Sequence, residues 1–175
     1  MESIISVSKS MKLCIAHRLM FHKGRCKNLH GHNYKVTATF CAKEFTSKEG
    51  MVIDFGLVKN RVFKMLDTAY DHTTFLYDKD PLADILENAG VPVVRTATHP
   101  TAENMCYMFC LQINNILLQL NNGVYCTEVV VEETEGAKAS LMVDAALVMQ
   151  EIKDAIQNVK ACQKTVQEEE NAGAD

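Results

Sequence analysis

Two long stretches in which apolar and polar residues alternate constrain the fold of this chain more than any other feature. From Ile5 to His17 the odd positions are apolar up to the final histidine, except for Lys9, and the even positions are small or polar. The alternation returns from His30 to Phe40. A period of two places successive side chains on opposite faces of a strand, so each stretch predicts a long half-buried strand. We expect the two strands to pair antiparallel, with a bulge or an exposed strand end at Lys9.

Two later segments carry apolar residues three and four positions apart, which predicts amphipathic helices. The first begins after Asp54, and the second begins after Thr101 and ends near Asn121. Aspartate and threonine are preferred at the N-cap because their side chains accept hydrogen bonds from the first turn. Between these helices, most of residues 71–100 is expected to be a structured connection, with one short helix at residues 81–88.

The C-terminal part of the sequence predicts a hairpin and then a further helix. Residues 126–133 alternate and are rich in β-branched side chains, and residues 137–143 are expected to pair with them. The predicted order is ββααββ, an α+β domain over residues 1–144. Residues 145–175 are expected to form a separate C-terminal helical extension that ends in an acidic tail.

The composition narrows the class of protein. A chain of 175 residues with 47% hydrophobic content predicts one domain with a substantial core. The net charge of −4 without a Lys/Arg cluster argues against a nucleic-acid partner. Seven cysteines without paired spacing favour reduced thiols in a cytoplasmic protein. No apolar run approaches the roughly 20 residues of a membrane span, so we expect a soluble, unprocessed chain with no membrane partner.

Three histidines form a candidate metal site. His30 and His32 are separated by one residue on a predicted strand, so their side chains project from the same face. His17 ends the apolar face of the neighbouring strand. Three imidazoles that converge at one end of a sheet are a typical ligand set of an open catalytic zinc site. The alternative is that each histidine is a hydrogen-bonded residue at the boundary of the core.

Cys26 is a candidate base or nucleophile. It lies four residues before His30 in a loop that also contains Lys23, Arg25 and Lys27. Positive charge nearby favours the thiolate form of a cysteine. The alternatives are a fourth zinc ligand and a loop thiol without a function.

Two acidic residues, Asp71 and Glu133, are also candidates for a functional role. Asp71 directly precedes His72 after the first helix, and a carboxylate beside an imidazole can set its tautomer for proton transfer. A surface pair in a loop is the alternative. Glu133 ends an apolar strand face, where a carboxylate is costly unless it meets a ligand rich in donors. The alternative is that Glu133 is a strand-end side chain that faces water.

Six motifs occur in the order found in the 6-pyruvoyl-tetrahydropterin and 6-carboxy-tetrahydropterin synthase family, which the sequence resembles over residues 5–143. The motifs are Ala16-His17-Arg18-Leu19, Cys26 to Tyr34, Gly50 to Phe55, Tyr70-Asp71-His72, Pro100 to Asn104 and Glu133-Thr134. The resemblance implies a tunnelling fold (T-fold), in which a four-stranded antiparallel sheet carries two helices on one face. It also implies a homo-oligomer, either a trimer or a dimer of trimers.

The resemblance further implies roles for eight residues. The zinc ligands would be His17, His30 and His32. The residues that move protons would be Cys26, Asp71 and His72. The residues that hold the pterin would be Glu133 and Thr101. Relatives usually carry an aromatic and small residues in the stretch where this chain has Cys14 and Ile15, and the helix after residue 144 is not a feature of the family.

The spacing C-x-x-x-H-G-H resembles the branch of the family that forms the 6-carboxy product. This implies a zinc-dependent lyase that converts 7,8-dihydroneopterin triphosphate to 6-carboxytetrahydropterin, acetaldehyde and triphosphate in queuosine and 7-deazaguanine biosynthesis. One alternative is 6-pyruvoyl-tetrahydropterin synthesis, and another is a silent scaffold that binds zinc or pterin. The joint presence of Cys26, Asp71, His72 and Glu133 argues against the scaffold, which would need neither a base nor a relay.

Overall fold

The computed structural model describes residues 5–144, so the predicted C-terminal helix and acidic tail lie outside the described residues. The strands are β1 (Ser6–His17), β2 (His30–Ala42), β3 (Thr73–Tyr77), β4 (Val93–Thr96), β5 (Val124–Thr134) and β6 (Ala137–Met142). The α-helices are α1 (Phe55–Leu57), α2 (Lys64–Tyr70), α3 (Pro81–Asn88) and α4 (Ala102–Leu120). A π-helical stretch, Val58–Phe63, joins α1 to α2, and a short 3₁₀ helix, Arg25–Lys27, lies between β1 and β2.

The predicted antiparallel strands form the main part of a six-stranded mixed sheet. The strand order is β4-β3-β1-β2-β5-β6, in which β1, β2, β5 and β6 pair antiparallel. Strands β3 and β4 add to the free edge of β1 and pair parallel. These two short strands lie in the segment that was expected to be a connection, and they extend the four-stranded sheet that the sequence predicts. The T-fold prediction is confirmed, as is the short helix α3.

The ladder between β1 and β2 runs without a break from Ser6 opposite Cys41 to His17 opposite His30. The prediction of a bulge or an exposed strand end at Lys9 is therefore wrong, because Lys9 lies inside β1. Lys9 pairs with Ala38, and its ammonium lies 5.2 Å from the ring centroid of Phe55. A lysine can lie along an apolar face when its stem packs there and its charge meets an aromatic ring.

The core lies on one side of this sheet. We call the side that carries Leu13, Ile15 and His17 the inner face, and the side that carries Cys14 and Ala16 the outer face. Leu13 and Ile15 are buried together with apolar residues of α4 and of the π-helical stretch. The predicted N-caps also form, since Asp54 Oδ1 accepts a bond of 3.0 Å from the Leu57 amide. Within residues 5–144, no helix is long and apolar enough to cross a membrane.

Candidate active site

Three histidines meet on the inner face, where the ladder between β1 and β2 ends. His17 lies opposite His30, and Ile15 lies opposite His32, so the three rings occupy neighbouring positions of one face. The ring centroids of His17 lie 4.6 Å from His30 and 5.4 Å from His32, and His30 lies 5.0 Å from His32. The register of two long strands therefore places all three predicted ligands together.

Backbone carbonyl groups orient two of these rings. His17 Nδ1 lies 2.7 Å from the carbonyl oxygen of Pro100, and His30 Nδ1 lies 2.8 Å from that of Asn28. A carbonyl oxygen only accepts, so each Nδ1 carries the proton and each Nε2 keeps a lone pair that can accept a hydrogen bond or bind a metal. Burial lowers the pKa of His17, which keeps the ring neutral near pH 7. A neutral imidazole is the form that binds metals.

Glu133 completes the group. Its Oε1 lies 3.2 Å from His17 Nε2 and 3.0 Å from His32 Nε2, and one ligating atom from each of the four residues lies within 4.8 Å of the others. His32 Nε2 is buried and makes no hydrogen bond of good geometry, even to Glu133. A buried nitrogen without a partner is costly unless something else binds it. Three imidazoles, one of which carries this unpaired nitrogen, fit a zinc ion with an open position.

Tyr34 is a residue of this site that the analysis of the sequence missed. Its hydroxyl lies 3.0 Å from His17 Nε2 and 3.4 Å from Glu133 Oε1, and the side chain is fully buried. Burial, and after it the charge of Glu133 and the hydrogen bond to Glu133, raise the pKa of Tyr34, so it remains a phenol that donates its one proton. The signal was present, because Tyr34 follows His30 and His32 on the same face of β2.

Cys26 lies outside this group of side chains. It is half-buried in the 3₁₀ helix Arg25–Lys27, and its carbonyl oxygen accepts a bond of 2.8 Å from the Leu19 amide. Within the described part of the chain, two groups of side chains have the spacing of metal ligands, and Cys26 belongs to neither.

Asp71 and His72 lie elsewhere, at the edge of β1. Asp71 Oδ1 accepts a bond of 2.7 Å from the Cys14 amide, and the His72 amide donates to the Cys14 carbonyl oxygen at 2.8 Å. His72 Nδ1 lies 2.6 Å from Asp71 Oδ2. The bond from the Cys14 amide, followed by that from His72, holds the pKa of Asp71 below its usual value. The structure therefore joins this pair to Cys14 rather than to Cys26.

Thr101 serves as the N-cap of α4. Its Oγ1 accepts a bond of 3.3 Å from the Asn104 amide, as the sequence predicts. The preceding residue, Pro100, is the one whose carbonyl oxygen orients His17. The start of α4 is thus fixed next to the histidine group.

The order of the sheet and the helices on one of its faces define the T-fold class of proteins. The sequence profile of the 6-pyruvoyl tetrahydropterin synthase family matches residues 6–144. The chain therefore belongs to the 6-pyruvoyl tetrahydropterin synthase family, whose enzymes are lyases.

Individual relatives agree with this assignment. The chain is 38% identical over 104 residues to 6-carboxy-5,6,7,8-tetrahydropterin synthase of Rickettsia typhi. The match covers 58% of this chain and 75% of the relative. It is 31% identical over 125 residues to a probable enzyme of the same name from Halobacterium salinarum, covering 70% of this chain and 79% of the relative.

Solved structures agree in fold. An uncharacterized protein of Wolinella succinogenes superposes with a TM-score of 0.69 at 21% identity, covering 82% of this chain and 100% of that one. The 6-pyruvoyl tetrahydropterin synthase of Plasmodium vivax superposes with a TM-score of 0.61 at 20% identity, covering 82% and 99% of the two chains.

Proposed function

We propose that this chain is a zinc-dependent 6-carboxy-5,6,7,8-tetrahydropterin synthase. It would convert 7,8-dihydroneopterin triphosphate to 6-carboxytetrahydropterin, acetaldehyde and triphosphate in queuosine and 7-deazaguanine biosynthesis. The observation that carries this proposal is the group of three histidines whose ring nitrogens gather beside the Glu133 carboxylate, with the buried His32 Nε2 left without a hydrogen-bond partner. Relatives with this enzyme name, at 31% and 38% identity, support the choice of product.

His17, His30 and His32 would hold the zinc ion through their Nε2 atoms. A bound zinc ion supplies Lewis acidity, which polarises the oxygens of the substrate side chain and acidifies the neighbouring C–H groups. The carbonyl groups of Pro100 and Asn28 keep two of the rings in the required tautomer.

Glu133 would anchor the pterin. The amino-pyrimidine edge of a pterin presents N–H donors, and a carboxylate accepts two such bonds at once. Tyr34 supports this role because its hydroxyl lies within reach of Glu133 Oε1. Thr101, at the start of α4, would add a contact to the same ring.

Cys26 would remove the proton from the substrate side chain, with Asp71 and His72 as its relay. One chain holds this pair at Cys14 instead, so the relay requires a second copy of the chain in the predicted trimer or dimer of trimers. Strands β4 and β6 end the sheet of the described residues, and such edges are available for pairing between subunits. The cytoplasmic location and the extension over residues 145–175 stay predictions.

The decisive experiment is to incubate the purified protein with 7,8-dihydroneopterin triphosphate, with and without added zinc, and to identify the products by mass spectrometry. We expect 6-carboxytetrahydropterin and acetaldehyde, with formation that depends on zinc. A 6-pyruvoyl product would replace the proposal with the other activity of the family. Turnover equal to that of the His32→Ala variant would contradict both.

A further inference from the structure

The Glu133 carboxylate faces two of the three histidines through a single oxygen. Its Oε1 lies 3.2 Å from His17 Nε2 and 3.0 Å from His32 Nε2. Zinc holds nitrogen and oxygen ligands at roughly 2.0 to 2.2 Å, which places the corners of a tetrahedral site about 3.3 to 3.5 Å apart. The carboxylate oxygen therefore lies close to the distance from both rings that a fourth ligand would have.

Hydrogen bonds account for only part of this arrangement. The Pro100 carbonyl oxygen takes the Nδ1 proton of His17, so Nε2 of the neutral ring is an acceptor, as is the carboxylate. The Tyr34 hydroxyl, 3.0 Å from His17 Nε2 and 3.4 Å from Glu133 Oε1, has one proton for these two acceptors. His32 Nε2 is buried and has no hydrogen-bond partner, although Glu133 Oε1 lies 3.0 Å away. Facing acceptors repel each other unless a cation or a proton lies between them, and a single metal ion would satisfy both nitrogens and the oxygen.

The backbone at Glu133 explains how its carboxylate is aimed at the rings. Pairing of β5 with β6 passes from Glu132 to Thr134 and skips Glu133, and pairing of β5 with β2 stops at Glu132. A residue that strand pairing skips forms a β-bulge, and bulges re-aim side chains next to active sites. The Glu133 side chain is also 29% exposed. It can therefore change partners while β5 stays paired.

We propose that Glu133 is the fourth zinc ligand of the protein without substrate and that it leaves this position when a pterin binds. This role rests on the proposed lyase function, which uses Glu133 only as the anchor of the pterin. The N–H donors of the amino-pyrimidine edge draw the carboxylate away from the histidines. The position that Glu133 gives up is then open to the oxygens of the substrate side chain. Hydroxy compounds without that edge would meet a closed site.

Zinc and pterin should therefore oppose each other's binding. Unsubstituted pterin is the probe, because it has the amino-pyrimidine edge and no side-chain oxygens. In the wild type, saturating pterin should weaken zinc affinity about 10-fold, and zinc should weaken pterin affinity by the same factor, as linkage requires. Competition with a chelating dye measures the first effect and pterin fluorescence the second. Both use the full chain without turnover.

Variants at two neighbouring positions separate ligation from charge. Glu133→Gln should weaken zinc affinity by about 10- to 100-fold. Glu133→Asp keeps the negative charge but is one methylene shorter, so it should weaken zinc affinity to a similar extent. Glu132→Gln is the matched control, because Glu132 pairs with Lys35 on the outer face. It should bind zinc like the wild type.

Zinc affinity that pterin leaves unchanged or increases in the wild type would overturn the proposal. A Glu133→Asp protein with wild-type zinc affinity would overturn it as well, since charge alone would then explain the loss in Glu133→Gln. Product formation tests the lyase separately. Turnover without opposition between zinc and pterin would keep the lyase and reject Glu133 as a ligand. Opposition without turnover would support the ligand and reject the lyase.

Discussion

The inner and outer faces of β1 carry two chemically different groups within four residues. On the inner face, His17 meets side chains of β2 and β5 through the register of the sheet. At the edge beside the outer face, Cys14 meets Asp71 and His72 through its own backbone groups. The inner group is thus set by the pairing of strands, whereas the outer group is held by backbone hydrogen bonds, with Cys14 and Asp71 half-buried and only His72 exposed.

The two groups also differ in how fully their polar atoms are paired. His32 Nε2 is buried without a good partner, so the inner group is incomplete without a ligand. In the outer group, both oxygens of Asp71 accept hydrogen bonds and the Cys14 thiol donates to Asn33. The inner group therefore leaves one ligating nitrogen unpaired, as a cation site would, whereas the thiol and carboxylate of the outer group already have partners.

Neighbouring residues on the two faces of β2 give the largest expected contrast. His32→Ala removes one of three imidazoles and should weaken zinc binding by more than about 100-fold, with turnover lost as well. Asn33→Ala, next in sequence but on the outer face, should keep zinc. Competition titration with a chelating dye measures both affinities. Equal loss of zinc in the two variants would show that the faces are not independent.

The second contrast separates metal binding from the proposed role of the Cys26 thiol. Cys26→Ala should lower turnover by about 100- to 10,000-fold, because a positioned acid–base group contributes that much. Its zinc content should stay at the wild-type level, since Cys26 is outside the histidine group. Metal analysis and product formation on the same sample test the pair of expectations. A Cys26→Ala protein without zinc would make Cys26 a ligand.

The inner group could be predicted from the sequence because its geometry follows from periodicity. An unbroken antiparallel ladder places His17 opposite His30, and the period of two brings His32 to the same face. The same rule applies to Tyr34, which was overlooked although it continues the row of His30 and His32. The prediction at Lys9 fails because a lysine with an aromatic partner does not interrupt a strand.

The outer group could not be predicted in the same way. Asp71 lies 57 positions from Cys14 in sequence, and the two meet where β3 begins to pair with β1. Strands of five and four residues, Thr73–Tyr77 and Val93–Thr96, are too short to show a reliable period. Their parallel pairing depends on long-range packing, so the position of the Asp71–His72 pair required the structure.

A third prediction concerns the hydrogen bond between Arg18 and Asp80, which lies next to His17 at the end of β1. Asp80 is fully buried, and its Oδ2 accepts a bond of 2.7 Å from Arg18 Nε, next to His17. Asp80→Asn should lower the free energy of unfolding at pH 7 by about 2 to 3 kcal/mol, the usual loss for a hydrogen bond to a charged group. Urea denaturation measures it. Asp84→Asn, at an exposed carboxylate, should cost less than about 0.5 kcal/mol.

The difference in unfolding free energy between wild type and Asp80→Asn should also depend on pH. The hydrogen bond from Arg18 lowers the pKa of Asp80 in the folded state below its value in the unfolded chain. The stabilisation is therefore complete above the unfolded value of about 3.9 and is lost as the pH falls through the folded value. The difference between wild type and Asp80→Asn should shrink in acid. A difference that stays constant down to the acid transition would exclude the carboxylate as its source.

The smallest expected effect lies inside the inner group, where Tyr34 has one proton and two acceptors. Without a metal, its hydroxyl is closer to His17 Nε2, at 3.0 Å, than to Glu133 Oε1, at 3.4 Å. A zinc ion on His17 Nε2 would take the first acceptor and leave the proton for Glu133. Tyr34→Phe should then weaken pterin binding about 10-fold, the loss of one bond to a carboxylate. Zinc affinity should stay equal or rise, since no hydroxyl competes for His17.

Fluorescence titration with a pterin and the zinc titration measure the two effects, with Tyr107→Phe, an exposed tyrosine, as control. If zinc affinity fell together with pterin affinity, Tyr34 would act by supporting the histidines rather than by orienting Glu133.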